Sequence, residues 1–117
     1  MNNQLLDRVN NESLTVWSRF QKLYPRLKTR NQPGIVLSNR MTATAGNCIV
    51  EEGVITLAAK FLAKYPDTML KVTLPHEYAH QVDFWLNGLP KRWHGASWKA
   101  IMINYGLPPD IYHSMKL

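Results

Sequence analysis

The residues best suited to chemistry lie in one short run, His76-Glu77-Tyr78-Ala79-His80, inside a stretch that we predict to be helical. A spacing of four residues places His76 and His80 on the same helix face, where their ring nitrogens can reach one ion. Two neutral imidazoles and an open coordination position favour Zn²⁺, while iron and manganese are also compatible with these residues. Glu77 lies about 100° further round the helix, so its carboxylate can reach a metal-bound water without binding the metal.

A catalytic zinc site needs a third protein ligand and leaves one position for water. The chain has no histidine before residue 76 and no glutamate after Glu77, which leaves a downstream histidine or aspartate, Cys48 or an upstream carboxylate. His94 follows the Gly88-Leu89-Pro90 turn, which can reverse the chain and place a second helix beside the first. We therefore expect His94 to complete the site. Asp83 shares the helix face of the first two histidines, and there it suits a carboxylate that holds an imidazole in place.

The elements that must position these side chains follow from hydrophobic spacing and from glycine and proline signals. Apolar residues at spacings of three or four predict a helix over residues 3–24, with Asn10-Asn11 as a potential break. The predicted strands are short apolar or β-branched runs between turn residues, at positions 35–38, 47–50 and 54–57. The predicted helices after the sheet span residues 58–65, 67–87 and 95–105. Pro75 removes one backbone hydrogen bond, so we expect a kink or a new first turn there.

This order of elements predicts an α+β fold with helices packed on a small three-stranded antiparallel sheet. We expect one domain over residues 1–117, made of a basic helix (3–24), the sheet (35–57) and the zinc-site helices (67–105). The composition, 45% hydrophobic and 19% charged, excludes a disordered tail. No run approaches the ~20 apolar residues that span a bilayer, and the first residues do not resemble a secretory signal. With Cys48 as its single cysteine, the chain forms no internal disulfide, and we expect a cytoplasmic monomer without membrane contact.

The net charge of +6 is concentrated at the start of the chain. Residues 1–40 carry seven Lys/Arg and two acidic residues, whereas residues 41–117 carry seven and six. An anionic partner such as single-stranded DNA would explain this excess, and so would an ordinary solvated helix face. The candidate nucleic-acid-binding residues are Arg19, Lys22, Arg26, Lys28 and Arg30. The tryptophans that flank the metal motifs are Trp85, Trp93 and Trp98. We expect them to pack between the two helices, and the alternative is that they form walls of a substrate cleft.

Two motifs together resemble the SprT family of zinc metalloproteases, whose eukaryotic branch includes Spartan. The first is Thr73-Leu74-Pro75-His76-Glu77-Tyr78-Ala79-His80, which matches the family's PHExxH helix. The second is Trp93-His94-Gly95-Ala96-Ser97-Trp98-Lys99, which matches the HGxxW motif that carries the third zinc ligand. Arg40-Met41-Thr42-Ala43-Thr44-Ala45-Gly46 resembles an Arg-rich, Ala-Gly turn of the family, and Tyr112-His113 falls where members often carry a histidine. The resemblance covers roughly residues 35–113 and implies a minimal zincin with one zinc ion bound by His76, His80 and His94.

The resemblance implies a zinc-dependent endopeptidase with Glu77 as general base, acting on proteins that include those bound or crosslinked to DNA. The side chains considered for the oxyanion or for support of the ligands are Asp83, Tyr105, Tyr112, His113 and Arg40. The chain departs from the family in lacking a Cys-rich zinc ribbon, and Gln81-Val82-Asp83 is more polar than the run that usually follows the motif. The alternative is a zinc-stabilised nucleic-acid-binding or interaction module with weak or no protease activity.

Overall fold

A long amphipathic helix, α1 (Asn3–Leu23), opens the computed structural model, which describes residues 3–117. The helix runs without interruption through Asn10-Asn11, so the break considered there is wrong. Asparagine inside a helix costs only about 0.7 kcal/mol relative to alanine. Burial of apolar side chains on both sides of the pair, at Val9 and Val16, outweighs that cost.

A 3₁₀ helix (Pro25–Thr29) leads from α1 to a sheet made of β1 (Gly34–Ser38), β2 (Gly46–Ile49) and β3 (Val54–Ala58). Strands β2 and β3 form an antiparallel hairpin, and Gly53 in its turn has a positive φ of 66°. Strand β1 lies on the other side of β3 and pairs with it in parallel. The α+β class and the three-stranded sheet are confirmed, whereas the prediction that all strands are antiparallel is wrong.

The mixed sheet follows from the two connections. Residues 50–53 join β2 to β3, and this short link suits a hairpin. Residues 39–45 join β1 to β2, and this longer link lets the chain cross to the far side of β3. The chain therefore reverses twice between β1 and β3, which makes these two strands run in the same direction.

After the sheet the chain is almost continuously helical, through α2 (Ala59–Lys64), α3 (Pro66–Thr68), a π-helical turn (Met69–Thr73) and α4 (Leu74–Asn87). In the π turn the N–H of Leu74 donates to the carbonyl of Met69, five residues earlier. Pro75 has no N–H for the carbonyl four residues before it, and its ring crowds that carbonyl. The distortion predicted near Pro75 is therefore present, and its form is a widened helical turn.

Helix α5 (Ala96–Tyr105) packs against α4 and completes the core. Trp98, Ile101 and Met102 are buried on the side of the helix that faces the core. The helix ends at Gly106, whose φ of 107° lies in the left-handed region that favours glycine. Within residues 3–117, no helix combines the length and the hydropathy that a bilayer crossing requires.

The last residues, 107–117, form an irregular segment that folds back over the sheet side of the molecule; we call it the C-terminal segment. The hydroxyl of Tyr65 donates a 2.6 Å hydrogen bond to the carbonyl of Lys116 and accepts one of 3.1 Å from its N–H. The ring of His113 lies edge-on to Phe61, with ring centroids 4.9 Å apart. These contacts hold the segment against α2.

The packing of α1 on the later helices predicts the effect of two truncations. Phe20 is fully buried, with its ring 4.6 Å from that of Tyr105 and 6.4 Å from that of Tyr78. We expect Phe20→Ala to lower the free energy of unfolding in urea by about 3–5 kcal/mol. Leu14 is 57% exposed on the same helix, so Leu14→Ala should cost no more than about 0.5 kcal/mol. Equal losses in the two variants would contradict this packing.

Candidate metal centre

Three histidine side chains converge on one point. His76 and His80 lie one turn apart on α4, and His94 lies in the turn before α5. The Nε2 atom of His94 is 3.2 Å from Nε2 of His80 and 3.2 Å from Nε2 of His76. An ion bound tetrahedrally at about 2.0–2.1 Å would hold its nitrogen ligands roughly 3.3 Å apart. The three side chains therefore fit a single metal ion, and the prediction that His94 joins the other two is confirmed.

The three imidazoles are kept in the neutral form that binds a metal. Burial, followed by the neighbouring His94, lowers the pKa of His76 to about 4. Burial, followed by the two neighbouring imidazoles, lowers the pKa of His80 to about 3. Burial, followed by the charge of Lys99, also lowers the pKa of His94. Three neutral imidazoles form a ligand set that suits zinc and other divalent first-row metals.

Trp98 of α5 supports the histidine cluster. Its side chain is fully buried, and its ring centroid lies 4.7 Å from that of His76, 5.2 Å from that of His80 and 4.7 Å from that of His94. Its indole N–H donates a 3.3 Å hydrogen bond to the carbonyl of His76. The indole therefore sets the distance between the helix that carries two ligands and the turn that carries the third.

The ring of His76 has a partner outside the histidine cluster, and that partner is not Asp83. The ring of His76 lies within hydrogen-bonding reach of the backbone of Asp110, which orients it. Among residues 3–117, no group pairs with the buried Nδ1 of His80. Asp83 is buried, and its Oδ1 accepts a 2.9 Å hydrogen bond from Nδ2 of Asn87. The expectation that Asp83 holds an imidazole is therefore wrong in the described part of the chain, where this carboxylate instead ties down the end of α4.

Glu77 lies beside the cluster without belonging to it. Its side chain is 8% exposed, and its Oε2 is 3.8 Å from Nε2 of His76. Burial raises the pKa of the Glu77 carboxyl to about 8. The approach of β2 to this side chain requires Gly46, because a β-carbon there would lie 3.3 Å from Cγ of Glu77 and 3.0 Å from the backbone oxygen of Thr56. The carboxyl is thus enclosed between α4 and β2, close to the point on which the imidazoles converge.

Cys48 does not take part in the cluster. Its side chain lines the cleft onto which the histidines open, and its thiol donates a 3.4 Å hydrogen bond to Oε1 of Gln81. Burial, together with the charge of Glu77, raises the pKa of the thiol to about 12. The thiol therefore stays protonated near neutral pH, whereas metal binding needs the thiolate.

The histidines open into a cleft of about 820 Å³. One wall is formed by β2 and the residues before it, and another by positions 110–115 of the C-terminal segment. Trp93, which is 48% exposed, stands at the side of His94, and Tyr112, which is 90% exposed, stands on the C-terminal segment. Trp98 packs between helices as predicted. For Trp93 that prediction is wrong, and the alternative considered for it, a place in the cleft wall, is the one observed.

The remaining site candidates divide between the cleft and the rest of the surface. Tyr112 and His113 line the cleft, and His113 uses both ring nitrogens, since Nε2 lies 2.7 Å from the carbonyl of Ala43 and Nδ1 accepts from the N–H of Met115. His113 therefore fastens the C-terminal segment. Tyr105 and Arg40 do not line the cleft. Tyr105 packs on Phe20 beneath the guanidinium of Arg19, and the N–H of Arg40 donates to Oγ of Ser38.

The five basic residues proposed to contact nucleic acid lie outside the cleft lining. The guanidinium of Arg19 covers the ring of Tyr105 at 4.3 Å, and that of Arg30 lies 5.6 Å from the ring of Trp85. The side chains of Lys22, Arg26 and Lys28 are exposed at the end of α1 and on the 3₁₀ helix that follows. Binding of DNA by these residues stays a prediction.

The burial of Glu77 gives a pH-dependent test. Because the pKa is raised on folding, the carboxyl contributes stability below its unfolded pKa, and this contribution is lost as the pH rises towards about 8. Urea unfolding of wild type and Glu77→Gln is compared after metal has been removed with EDTA. The free energy of unfolding of the variant, relative to that of wild type, should increase from pH 5 to pH 8. The slope of the difference is at most about 1.4 kcal/mol per pH unit, the value for one proton. Parallel pH profiles would contradict this environment.

Comparison with known proteins agrees with this geometry. The model of the SprT-like family matches residues 14–113. The curated relatives named Protein SprT include those of Pseudomonas aeruginosa (strain LESB58), 34% identical over 81% of this chain and 54% of the relative, and of Pseudomonas paraeruginosa (strain DSM 24068 / PA7), 31% identical over the same shares. That of Actinobacillus succinogenes is 33% identical over 59% of this chain and 41% of the relative.

The chain therefore spans about half the length of the curated relatives that it matches. No solved structure is significantly similar to it. The family match covers most of the chain, including both segments that carry the three histidines and most of the residues that form the walls of the cleft. This protein belongs to the SprT-like family.

Proposed function

We propose that this protein is a zinc-dependent endopeptidase. The observation that carries the proposal is the convergence of His76, His80 and His94, with the buried Glu77 carboxyl next to them and outside the cluster. A site built only for structural metal binding is usually closed by a fourth protein ligand and has no use for an adjacent base. When bound, zinc supplies Lewis acidity, which makes a water molecule nucleophilic near neutral pH and polarises a carbonyl group.

Glu77 moves the proton in this proposal. It accepts a proton from the attacking water and delivers it to the nitrogen of the leaving amine. A carboxyl whose pKa is raised to about 8 is suited to both steps, because it can accept and donate a proton near neutral pH. The exposed hydroxyl of Tyr112, on the cleft wall, is the donor we propose for the developing oxyanion.

The shape of the cleft supports an extended peptide as substrate. In the described sheet β2 is an outer strand, since it pairs with β3 on one side only, and it forms one wall of the cleft. Such an edge can accept an added strand through backbone hydrogen bonds, which requires an unfolded stretch of the substrate. We therefore propose unstructured protein segments as the substrate class.

The exposed cations near the end of α1 support a role for single-stranded DNA. Lys22, Arg26 and Lys28 are exposed, and residues 1–40 carry most of the net positive charge of the chain. We propose that these side chains bind the DNA phosphates, so that proteins held on DNA come close to the cleft. The alternative, a zinc-stabilised nucleic-acid-binding module without protease activity, rests on the same charges.

Glu77→Gln tests the proton transfer. The variant keeps the size of the side chain and all three histidines, so we expect it to bind one zinc ion per chain, as measured by elemental analysis. Its turnover of casein or histone should fall by about 10²–10⁴-fold, because the general base is lost. Turnover equal to that of wild type would remove Glu77 from the mechanism.

A matched control separates metal binding from chemistry. We expect His94→Ala to lose both zinc and turnover, because a two-histidine site holds the ion much less tightly. If the zinc-loaded wild type cleaves no protein, with or without single-stranded DNA, the peptidase proposal fails and the binding module is favoured.

The DNA contacts are tested by neutralising two cations. We expect Arg26→Gln/Lys28→Gln to weaken binding of a single-stranded oligonucleotide and to reduce the slope of log K against log salt by about 1.4, which corresponds to two phosphate contacts. The control Lys60→Gln/Lys116→Gln changes the net charge equally at exposed positions elsewhere. Equal effects of the two pairs would show a general charge effect, without a specific DNA-binding surface.

A further inference from the structure

Gln81 is a buried polar residue next to the metal centre, and its contacts join α4 to the hairpin. Its side chain is fully buried, and Nε2 donates a 2.9 Å hydrogen bond to the carbonyl of Val50. Its Oε1 accepts the hydrogen bond from the thiol of Cys48. One amide therefore holds both the end of β2 and the first residue of the turn that follows it.

The spacing of these contacts matches the geometry of a helix lying along a strand. Glu77 and Gln81 are four residues apart on α4, which corresponds to a rise of about 6.0 Å. Gly46 and Cys48 are two residues apart on β2, which corresponds to about 6.6 Å. Glu77 lies against Gly46 and Gln81 bonds to Cys48, so successive turns of the helix meet successive inward positions of the strand.

The hydrogen bond to Val50 fixes this alignment in a way that apolar packing does not. Val50 is 2% exposed and lies beyond the last residue of β2, where the strand ladder has ended. A buried carbonyl needs a hydrogen-bond donor, and Gln81 supplies one from α4. An apolar side chain of similar size could fill the space, but it would provide no hydrogen bond between α4 and the hairpin.

We propose that Gln81 is a positioning residue, which fixes the register of β2 beside Glu77 and thereby sets where an extended substrate lies relative to the metal centre. The inference rests on the proposed peptidase function, since it concerns how the substrate is held. The hydrogen bonds that the described residues give Gln81 are with the hairpin, and neither is with Glu77 or the three histidines. Loss of Gln81 should therefore affect substrate binding more than the chemical step.

The experiment compares two buried substitutions on α4. Gln81→Met keeps the volume and removes both hydrogen bonds to the hairpin. The control, Tyr78→Phe, removes a hydroxyl that bonds to the carbonyl of Ser13 and to Gln32, both at 3.3 Å and both outside β2. Amide hydrogen exchange is measured on the metal-free proteins, and KM and kcat are measured on the zinc-loaded proteins with an unstructured fluorogenic peptide.

We expect Gln81→Met to speed exchange in residues 46–50 by about tenfold relative to α5, because the bond that closes the hairpin against α4 is lost. KM should rise about fivefold with kcat within about twofold of wild type, the pattern for lost binding without lost chemistry. Tyr78→Phe should change neither the relative exchange rate of residues 46–50 nor KM. If Gln81→Met does not fold, Gln81→Asn, whose amide is one methylene short of Val50, carries the same expectation.

The outcomes separate this inference from the proposed function. If wild type cleaves the peptide and Gln81→Met leaves exchange or KM unchanged, the positioning role is overturned. The role is also overturned if Tyr78→Phe raises KM as much as Gln81→Met does. If wild type cleaves no peptide, the proposed function fails, and with it the role in substrate placement, while faster exchange in Gln81→Met would still establish the tether between α4 and the hairpin.

Discussion

The contact between α4 and α5 through Trp98 is the constraint on which the site depends. His76 and His80 lie on α4, and His94 lies in the turn before α5. The three Nε2 atoms therefore meet only while the indole of Trp98 keeps the two helices in place. The apolar surroundings shift the pKa values of the imidazoles and of the Glu77 carboxyl in opposite directions. They lower the pKa of His76 and of His80, so that both rings are neutral near pH 7, and they raise the pKa of the Glu77 carboxyl to about 8, because burial disfavours the charged form of either group.

The cleft is built from parts with very different degrees of internal support. The helix side is core, with Trp98 and Tyr78 fully buried. The opposite side consists of a four-residue strand and an irregular segment that is held by a few side chains, among them Tyr65 and His113. The groups that would perform the chemistry are therefore rigid, while the surfaces that would meet a polypeptide are the more easily displaced ones.

The sequence predicted what depends on short-range periodicity and on the chemistry of single residues. The shared face of His76 and His80 follows from a spacing of four, and His94 was favoured by the turn signal before it and by the resemblance of its surroundings to the family motif. The parallel pairing of β1 with β3 was missed because strand order depends on which edge of β3 is left after the hairpin forms, which is a long-range property.

The partners of single side chains were also missed. Asp83 was expected on the helix face of the histidines, but its carboxylate bonds to Asn87, because spacing predicts the side of a helix and not the hydrogen-bond partner. The same limit explains Gly46 and Gln81, whose roles arise from contacts between elements distant in sequence.

The π-helical turn at Met69–Thr73 lies immediately before the residues of the metal centre. Such a turn holds one more residue than the α-helix around it. Because each residue of an α-helix advances by about 100°, the facing of His76, Glu77 and His80 is set by this surplus residue. If the same residues formed a regular α-helix throughout, the face that carries these side chains would turn about a quarter of a circle away from His94. The ligand geometry is thus encoded partly in a segment that carries no ligand.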